Sequence, residues 1–382
     1  MSMTFLSPLE TPHAVVDVSR LRRNIDRVAA FAKKHGLGLR PHVKTHKDQE
    51  IARMQLACGA LGVTVATSKE AEVMAEVADD ILVAYPPVDP ARIKRLLNLP
   101  ERVKLIVALD SLEAIERLSL ALQDRARTQT PRQIRVLIEL DLGGARTGVC
   151  EHTQLLSLAR AAEKSPYTKF SGLMVHPGNL RHTMLDPAQS RGATPDSDRD
   201  FRESLALVSE RLRSAIAALQ AEHFECDIVS GGNTPSLFLS HLVPELTEIR
   251  PGTYVYSDRD IAGQGVLDWS DCAYSILATV VSTAVAGQVV IDAGTKALAK
   301  EPLPVLSGYG VLLDRPDIVV RAMSEEHGLI DISSTDWRPQ VGDRVQVVPN
   351  HVCVSVHLQE KVAFLEGEKL TLRSVSARGR SR

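Results

Sequence analysis

Residues 36–46, Gly-Leu-Gly-Leu-Arg-Pro-His-Val-Lys-Thr-His, decide how the rest of the chain is read. Leu37 to Val43 reads as a β-strand opened by Gly36 and Gly38, with a helix following from about Lys47. Side chains alternate across a strand, so Arg40, His42 and Lys44 share one face while Leu39, Pro41 and Val43 share the other. Lys44 then stands at the C-terminal lip of the strand among cationic neighbours. An amine that is crowded by cations and partly dehydrated loses proton affinity and becomes a usable nucleophile, able to hold an aldehyde as a Schiff base. On this segment alone a solvent-facing lysine in a charged loop is the commoner case.

Working outward, helical and strand patterns alternate with a regular beat from residue 20 to about residue 260. Ser19–Lys34 carries Leu21, Ile25, Val28 and Phe31 on one helical face, with Ser19 as a candidate N-cap. The predicted strands are Leu37–Val43, Gly62–Thr67, Ile81–Tyr85, Val103–Leu109, Ile134–Leu140, Phe170–Val175, Asp227–Val229 and Leu246–Ile249. They are short and apolar on both faces, as parallel strands covered by helices are. Amphipathic helices such as Ser68–Val77, Ser111–Arg125, His152–Lys164 and Asp198–Glu222 lie between them. This α/β alternation predicts a (β/α)8 TIM barrel. A doubly wound open sheet is second, since the glycine fingerprint it needs after its first strand is missing.

After Asp268 helices give way to turns. Val280–Val285, Val289–Asp292, Ile318–Val320, Leu329–Ile332, Val345–Val348, Val352–Leu358 and Val362–Phe364 read as strands of a mainly antiparallel β domain. The opening segment Thr11–Asp17 precedes the first barrel helix and is free to pair with that sheet. The expected division is residues 20–268 for the barrel and residues 1–19 plus 269–382 for the β domain. The polar stretch Arg181–Asp196, with Pro187, Gly192 and Pro195, reads as a loop over the barrel mouth, and Ala377–Arg382 as a frayed basic tail.

Composition narrows the function classes. The net charge of −2 leaves no reason to expect a nucleic-acid or anionic-membrane partner, and 44% hydrophobic residues suit an ordinary core. The first residues lack a secretory pattern, and no stretch approaches the roughly 18 apolar residues of a membrane span. Five scattered cysteines without a Cys-x-x-Cys pair suit a reducing cytoplasm, the expected location. Cys58, Cys150, Cys226 and Cys272 read as packing residues, and Glu70–Glu76 as a solvated helix face.

Barrel enzymes work at the C-terminal ends of their strands, with phosphate commonly held after strands seven and eight. Strand one ends at Lys44, strand five in Asp141-Leu-Gly-Gly-Ala-Arg146, and strand six in His176-Pro-Gly-Asn179. Strand seven ends in Ser230-Gly231-Gly232-Asn233-Thr234-Pro235, a turn whose exposed amides and hydroxyl make an anion cradle, with Pro235 suited to open a short helix. Strand eight leads into Arg250-Pro-Gly-Thr-Tyr254 on the same side. A second site lies at Asn350-His351-Val-Cys353-Val-Ser355-Val-His357. Read as a strand, it puts His351, Cys353, Ser355 and His357 on one face, where an imidazole and a thiolate reach a single metal ion. Zinc prefers such donors, and two protein ligands leave positions for water and substrate.

Taken together these segments resemble the fold-type III pyridoxal-phosphate (PLP) enzymes, and among them the D-serine dehydratase and D-threonine aldolase family. The marks are Thr11-Pro-His, Arg-Pro-His-Val-Lys44-Thr-His, Gly62-Val-Thr-Val-Ala-Thr with Glu70-Ala-Glu, Asp80-Ile-Leu-Val-Ala-Tyr, Ser-Gly231-Gly232-Asn-Thr-Pro, Arg-Pro-Gly-Thr-Tyr254 and His351-x-Cys353. The resemblance implies an alanine racemase-like barrel plus β domain, with PLP on Lys44 and its phosphate on Gly231, Gly232, Asn233, Thr234 and near Tyr254. It also implies Arg146 and His176 beside the cofactor ring, a divalent metal, usually zinc with manganese as an alternative, on His351 and Cys353, and a homodimer. Aldolases of the family typically carry His-x-Asp at the metal position and dehydratases His-x-Cys, so Cys353 tilts the expectation toward dehydration. The expected substrate is a D-3-hydroxy amino acid, foremost D-threo-3-hydroxyaspartate going to oxaloacetate and ammonia. D-Serine dehydration to pyruvate and aldol cleavage to glycine and an aldehyde are the alternatives. A second substrate carboxylate would want a cation such as Arg40 or another arginine from a mouth loop.

Overall fold

The computed structural model describes residues 3–176 and 197–380, so the loop expected over 181–196 lies outside the described residues. The chain forms two compact units. One comprises residues 1–28, 45–48 and 253–379, and the other residues 29–44, 49–252 and 380–382.

The second unit is built on an eight-stranded parallel sheet. Its strands are β2 (Gly38–Leu39), β3 (Val63–Val65), β4 (Asp80–Val83), β5 (Lys104–Leu109), β6 (Ile134–Leu140), β7 (Thr168–Val175), β8 (Ile228–Gly231) and β9 (Glu248–Ile249). They follow one another in the order β2-β9-β8-β7-β6-β5-β4-β3. Pro41 has no N–H to give, which keeps the regular part of β2 short, yet the extended chain runs on. Leu61 N donates to Leu39 O at 2.8 Å, Thr64 N to Pro41 O at 2.8 Å and Val43 N to Thr64 O at 2.9 Å. A parallel bridge joins His42 to Thr64, and the ring closes between its first and second strands. The expected (β/α)8 architecture is the observed one.

Helix α1 (Val18–Lys34) buries Leu21, Ile25 and Val28 as its periodicity requires. Its cap is Asp17 instead of Ser19. The Asp17 Oδ1 accepts from Ser19 N at 2.9 Å and Arg20 N at 3.0 Å, and the Ser19 hydroxyl itself donates to that oxygen. Helix α2 is Gln49–Ala57, two residues later than expected because Lys47 has a positive φ of 52°. Helix α3 (Ser68–Met74) begins where Thr67 accepts from Glu70 N, and the Glu70 carboxylate takes Ala66 N at 2.7 Å. Glu70 is therefore buried, a correction to its reading as solvated. Helices α4 (Pro90–Leu97), α5 (Leu112–Ala126), α6 (His152–Lys164) and α7 (Ser197–Ala221) lie in the same unit as α2 and α3, whereas most of α1 belongs to the other. Cys58 and Cys150 are exposed, against their reading as packing residues.

A polar layer crosses this barrel. Arg40 Nε donates to both oxygens of Glu248 at 2.9 and 3.0 Å, and its Nη1 to Asp80 at 2.5 Å. Arg135 holds the other Asp80 oxygen at 2.8 Å. Arg40 is thus spent within the fold and is not available for a second substrate carboxylate.

In the first unit β1 (His13–Asp17) lies between β10 (Tyr274–Ser282), antiparallel, and β16 (Lys361–Glu366), parallel, so the opening segment does join the C-terminal sheet. The short helix α8 (Arg259–Gly263) precedes β10. Strands β11 (Gln288–Ile291), β13 (Val320–Met323), β14 (Gly328–Asp331) and β15 (Arg344–Pro349) match expected strands within a few residues. Two strands were not legible. Strand β12 (Gly310–Leu312) has three residues, and β17 (Lys369–Ser374) is a mostly exposed edge with little apolar signal. Helix α9 is the single turn Thr295–Leu298.

Val352–Leu358 is a correction: it forms helix α10, not a strand. Three alternate valines suggested period two, but Val352 and Val356, one helical turn apart, are buried while Val354 is 40% exposed. The helical choice is set by tertiary bonds, Val352 N to the Asp258 carboxylate at 3.0 Å and the Ser355 hydroxyl to Ala297 O at 2.7 Å.

Removing one partner of the buried Arg40–Glu248 pair, each 3% exposed, strands the other charge. Arg40→Met is expected to destabilise the barrel by about 3–5 kcal/mol. Urea unfolding with an unchanged midpoint would contradict this.

Candidate active site

The C-terminal lip of the barrel gathers groups from four strands. Lys44 follows β2 with its side chain exposed, and its N–H faces His42 Nδ1 at 3.5 Å. Arg146 stands in the loop after β6, where the Asp141 carboxylate gathers the backbone N–H groups of Gly143, Gly144 and Ala145 at 2.7–3.2 Å. His176 ends β7. Arg250 ends β9, donating to Ser230 Oγ at 2.7 Å and Val175 O at 2.9 Å, while Ser230 donates to Glu248 at 2.6 Å. Glu139, 3% exposed, is the facing carboxylate, 3.6 Å from Arg146.

These groups govern one another. Burial lowers His176 to about 3, helped by Arg146, Arg250 and Lys44. His42 is held well below 6.5, first by burial and then by Lys44, Arg250, His176 and Arg146. Burial also lowers Arg250 to about 10 and raises Glu139 against the pull of Thr147, Arg146 and Arg250. Both imidazoles are therefore neutral at pH 7, and the lip keeps an excess of positive charge suited to an anion.

The loop after β8 is backbone-lined. A Cβ on Gly231 would stand 2.6 Å from Leu246 and 2.8 Å from Val175, and Gly232 has φ +71°. Only glycine meets both demands. Asn233 Oδ1 turns back to accept Ser236 N and Oγ, both at 2.9 Å, and Thr234 is buried. Pro235 does not open the helix that follows, a 3-10 helix over Leu237–Leu242 with Ser236 at its N-cap. Tyr254, in the other unit, is fully buried in the turn Thr253–Val255.

Within the β-sheet unit His351 and Cys353 come together through α10, not through strand alternation. His351 occupies the N-cap position and Cys353 lies in the first turn, so both side chains gather at one helix end. His351 Nδ1 donates to Asp258 Oδ2 at 3.0 Å, and the imidazole is also hydrogen-bonded to Cys353. Burial lowers the His351 pKa, but Cys353 and Asp258 outweigh it and leave it well above 6.5. Thr45 Oγ1 lies 3.2 Å from Cys353 Sγ. Ser355 instead bonds Tyr274 and Ala297, so it does not share the His351 face. Among the described residues no group of three or more His, Cys, Asp or Glu side chains is placed to hold a metal. The imidazole and thiol are a two-donor set of the kind zinc prefers.

The alanine racemase N-terminal domain family matches residues 16–260, and a serine dehydratase domain family matches residues 273–365. The chain belongs to the fold-type III PLP enzymes. The D-threo-3-hydroxyaspartate dehydratase of Delftia sp. (strain HT23) is 33% identical over 92% of both chains. Its solved structure superposes with TM-score 0.82 at 30% identity, covering 96% of this chain and 97% of that one. A cysteine-to-alanine variant of a D-threo-3-hydroxyaspartate dehydratase has been solved in a metal-free form. The D-threonine aldolase of Arthrobacter sp. is 29% identical over 99% of this chain and 95% of its own. The D-threonine aldolase structure from Filomicrobium marinum has TM-score 0.85 at 28% identity, covering 99% and 98%. These relatives make the chain a lyase that uses PLP. Its residues fit that group: a lysine at the barrel lip, a glycine cradle a Cβ would fill, and a cationic surround. No helix among the described residues is long and apolar enough to cross a membrane.

Sequence reasoning missed Asp258 and assigned no role to Thr45 or Arg250, though both lie in motifs it quotes. Asp258 could have been found as an N-cap ahead of Ile261, since Asp is favoured there. The other two become evident only from tertiary contacts.

His176 has a folded pKa of about 3 against 6.5 unfolded. The unfolded chain therefore binds the extra proton as pH falls through 6.5, and stability declines from there to about 3. His176→Gln is expected to flatten that decline. An imidazole NMR signal of His176 that titrates near pH 6.5 would contradict the assignment.

Proposed function

We propose that the protein is a PLP- and divalent-metal-dependent ammonia-lyase of D-3-hydroxy amino acids, acting foremost on D-threo-3-hydroxyaspartate to give oxaloacetate and ammonia. The observation that carries this reading is the bonded His351–Cys353 pair, its imidazole oriented by Asp258. When bound, PLP supplies an electrophilic aldehyde and an electron sink, and the cation supplies a Lewis acid for a hydroxyl leaving group.

The chain's own residues take the remaining roles. The Lys44 amine binds the cofactor and, once displaced, takes the proton from Cα. Gly231, Gly232, Asn233 and Thr234, with Tyr254, hold the phosphate, the backbone amides of the loop doing most of this. Arg146 and His176 flank the ring, His176 as a neutral imidazole. His351 and Cys353 hold the cation, zinc first and manganese second. That a dehydratase relative has been solved as a cysteine-to-alanine variant in a metal-free form supports the assignment of Cys353. Thr45, which follows Lys44 in the chain, touches Cys353.

The positive excess at the lip favours a substrate with two carboxylates, hence 3-hydroxyaspartate over D-serine. The aldolase reading is second, because relatives of both reaction types match at similar identity. An aldolase would take the hydroxyl proton and break Cα–Cβ instead of expelling hydroxide.

Incubating the protein with D-serine, D-threonine and the 3-hydroxyaspartate isomers is expected to yield ammonia and a 2-oxo acid, fastest from D-threo-3-hydroxyaspartate and lost on chelation. Glycine plus an aldehyde would overturn the dehydratase reading in favour of the aldolase. Lys44→Ala is expected to remove the visible absorption of covalently held cofactor and to cut turnover by about 10²–10⁴-fold or more. Retention of both would contradict the role of Lys44.

A further inference from the structure

Glu301 interacts electrostatically with His351, and one of its carboxylate oxygens, the buried Oε2, finds no hydrogen-bond partner among the described residues. The rest of the residue is firmly tied to the site. Asn350, which immediately precedes His351, donates from Nδ2 to Glu301 O at 2.9 Å and to Gly308 O at 2.8 Å. Asn350 Oδ1 in turn accepts Arg259 Nη1 at 3.0 Å, and Arg259 follows Asp258. Burial raises the pKa of the carboxyl, His351 opposing that rise and Asp258 adding to it.

Two residues earlier Ala299 adopts φ 66°, ψ 170°, a region otherwise kept by glycine. The chain thus accepts a strained backbone in the approach to a buried carboxylate oxygen without a donor. Such an oxygen is costly where it stands unless positive charge lies near it. His351 attracts the carboxyl electrostatically, but its hydrogen bonds go to Asp258 through Nδ1 and to Cys353, so neither reaches the Glu301 oxygen. Direct ligation by Glu301 is not the answer, since it does not complete a three-residue metal group with the pair.

We propose that Glu301 is a positioning residue that supplies outer negative charge to a divalent cation held by His351 and Cys353, raising the affinity of the site without ligating the ion. This rests on the metal assignment above. A neutral amide of the same shape removes the charge and also relieves the unpaired acid, so cation affinity and metal-free stability move in opposite senses.

The test is calorimetric titration of zinc chloride into chelator-treated, PLP-loaded protein, alongside thermal unfolding of the metal-free form. For Glu301→Gln the expected result is about 10–100-fold weaker zinc binding, unchanged cofactor absorption, and a metal-free melting temperature equal to or above that of the unsubstituted protein. Glu301→Asp, which keeps the charge at a shorter reach, is expected to fall between the two. Zinc affinity unchanged in Glu301→Gln would overturn the proposal, as would a lower metal-free melting temperature with affinity intact, the mark of a structural glutamate. If the unsubstituted protein binds no zinc, or Cys353→Ala binds it equally well, the metal assignment itself fails and the role of Glu301 with it.

Discussion

One carboxylate sets the chemistry of the β-sheet unit. Asp258 is fully buried, and its two oxygens serve two helices. Oδ1 accepts Ile261 N at 3.0 Å in the first turn of α8, and Oδ2 accepts Val352 N at 3.0 Å at the start of α10. The same Oδ2 takes His351 Nδ1–H. Negative charge at helix N-termini is favourable, and hydrogen bonds to a charged group are worth about 1.5–3 kcal/mol each. The acid therefore locks the two helix ends and fixes which imidazole nitrogen is turned toward Cys353. This carboxylate–imidazole arrangement is the one that orients metal-binding histidines in general.

The barrel follows a different electrostatic logic. Its interior charges are paired across strands, Arg40 with Glu248 and Asp80, and Arg250 with Ser230 and the β7 carbonyl. Such pairs seldom add net stability over apolar packing, but they are costly to break and they fix geometry. Here they hold Arg250 where it and Arg146 add to the burial that keeps His42 and His176 neutral. Buried neutral imidazoles beside a lysine and two guanidiniums make a lip ready for a phosphate or a carboxylate.

Much of this was legible in the sequence, for identifiable reasons. Parallel barrel strands are doubly buried and so read as apolar runs, and all eight were found within a few residues. Lys44, Arg146, His176 and the Gly231-Gly232 turn were placed at the lip because strand ends are where barrels do chemistry. The pairing of the Thr11–Asp17 segment was inferred from its having no place in the barrel. The failures were local competitions that tertiary contacts decided. Val352, Val354 and Val356 satisfy either period, and Asp258, distant in sequence, tips them to helix. Ser19 lost its capping role to Asp17 two residues earlier. Arg40 was offered to a ligand because sequence could not reveal Glu248 and Asp80 around it.

The claim on which the account depends is that the imidazole of His351 and the sulfur of Cys353 bind one divalent cation together. X-ray absorption at the zinc edge, on stoichiometrically loaded protein, tests it most directly. The account predicts a first shell with one sulfur scatterer and one imidazole, the remainder being light atoms. A shell of oxygen and nitrogen alone, with no sulfur, would contradict it.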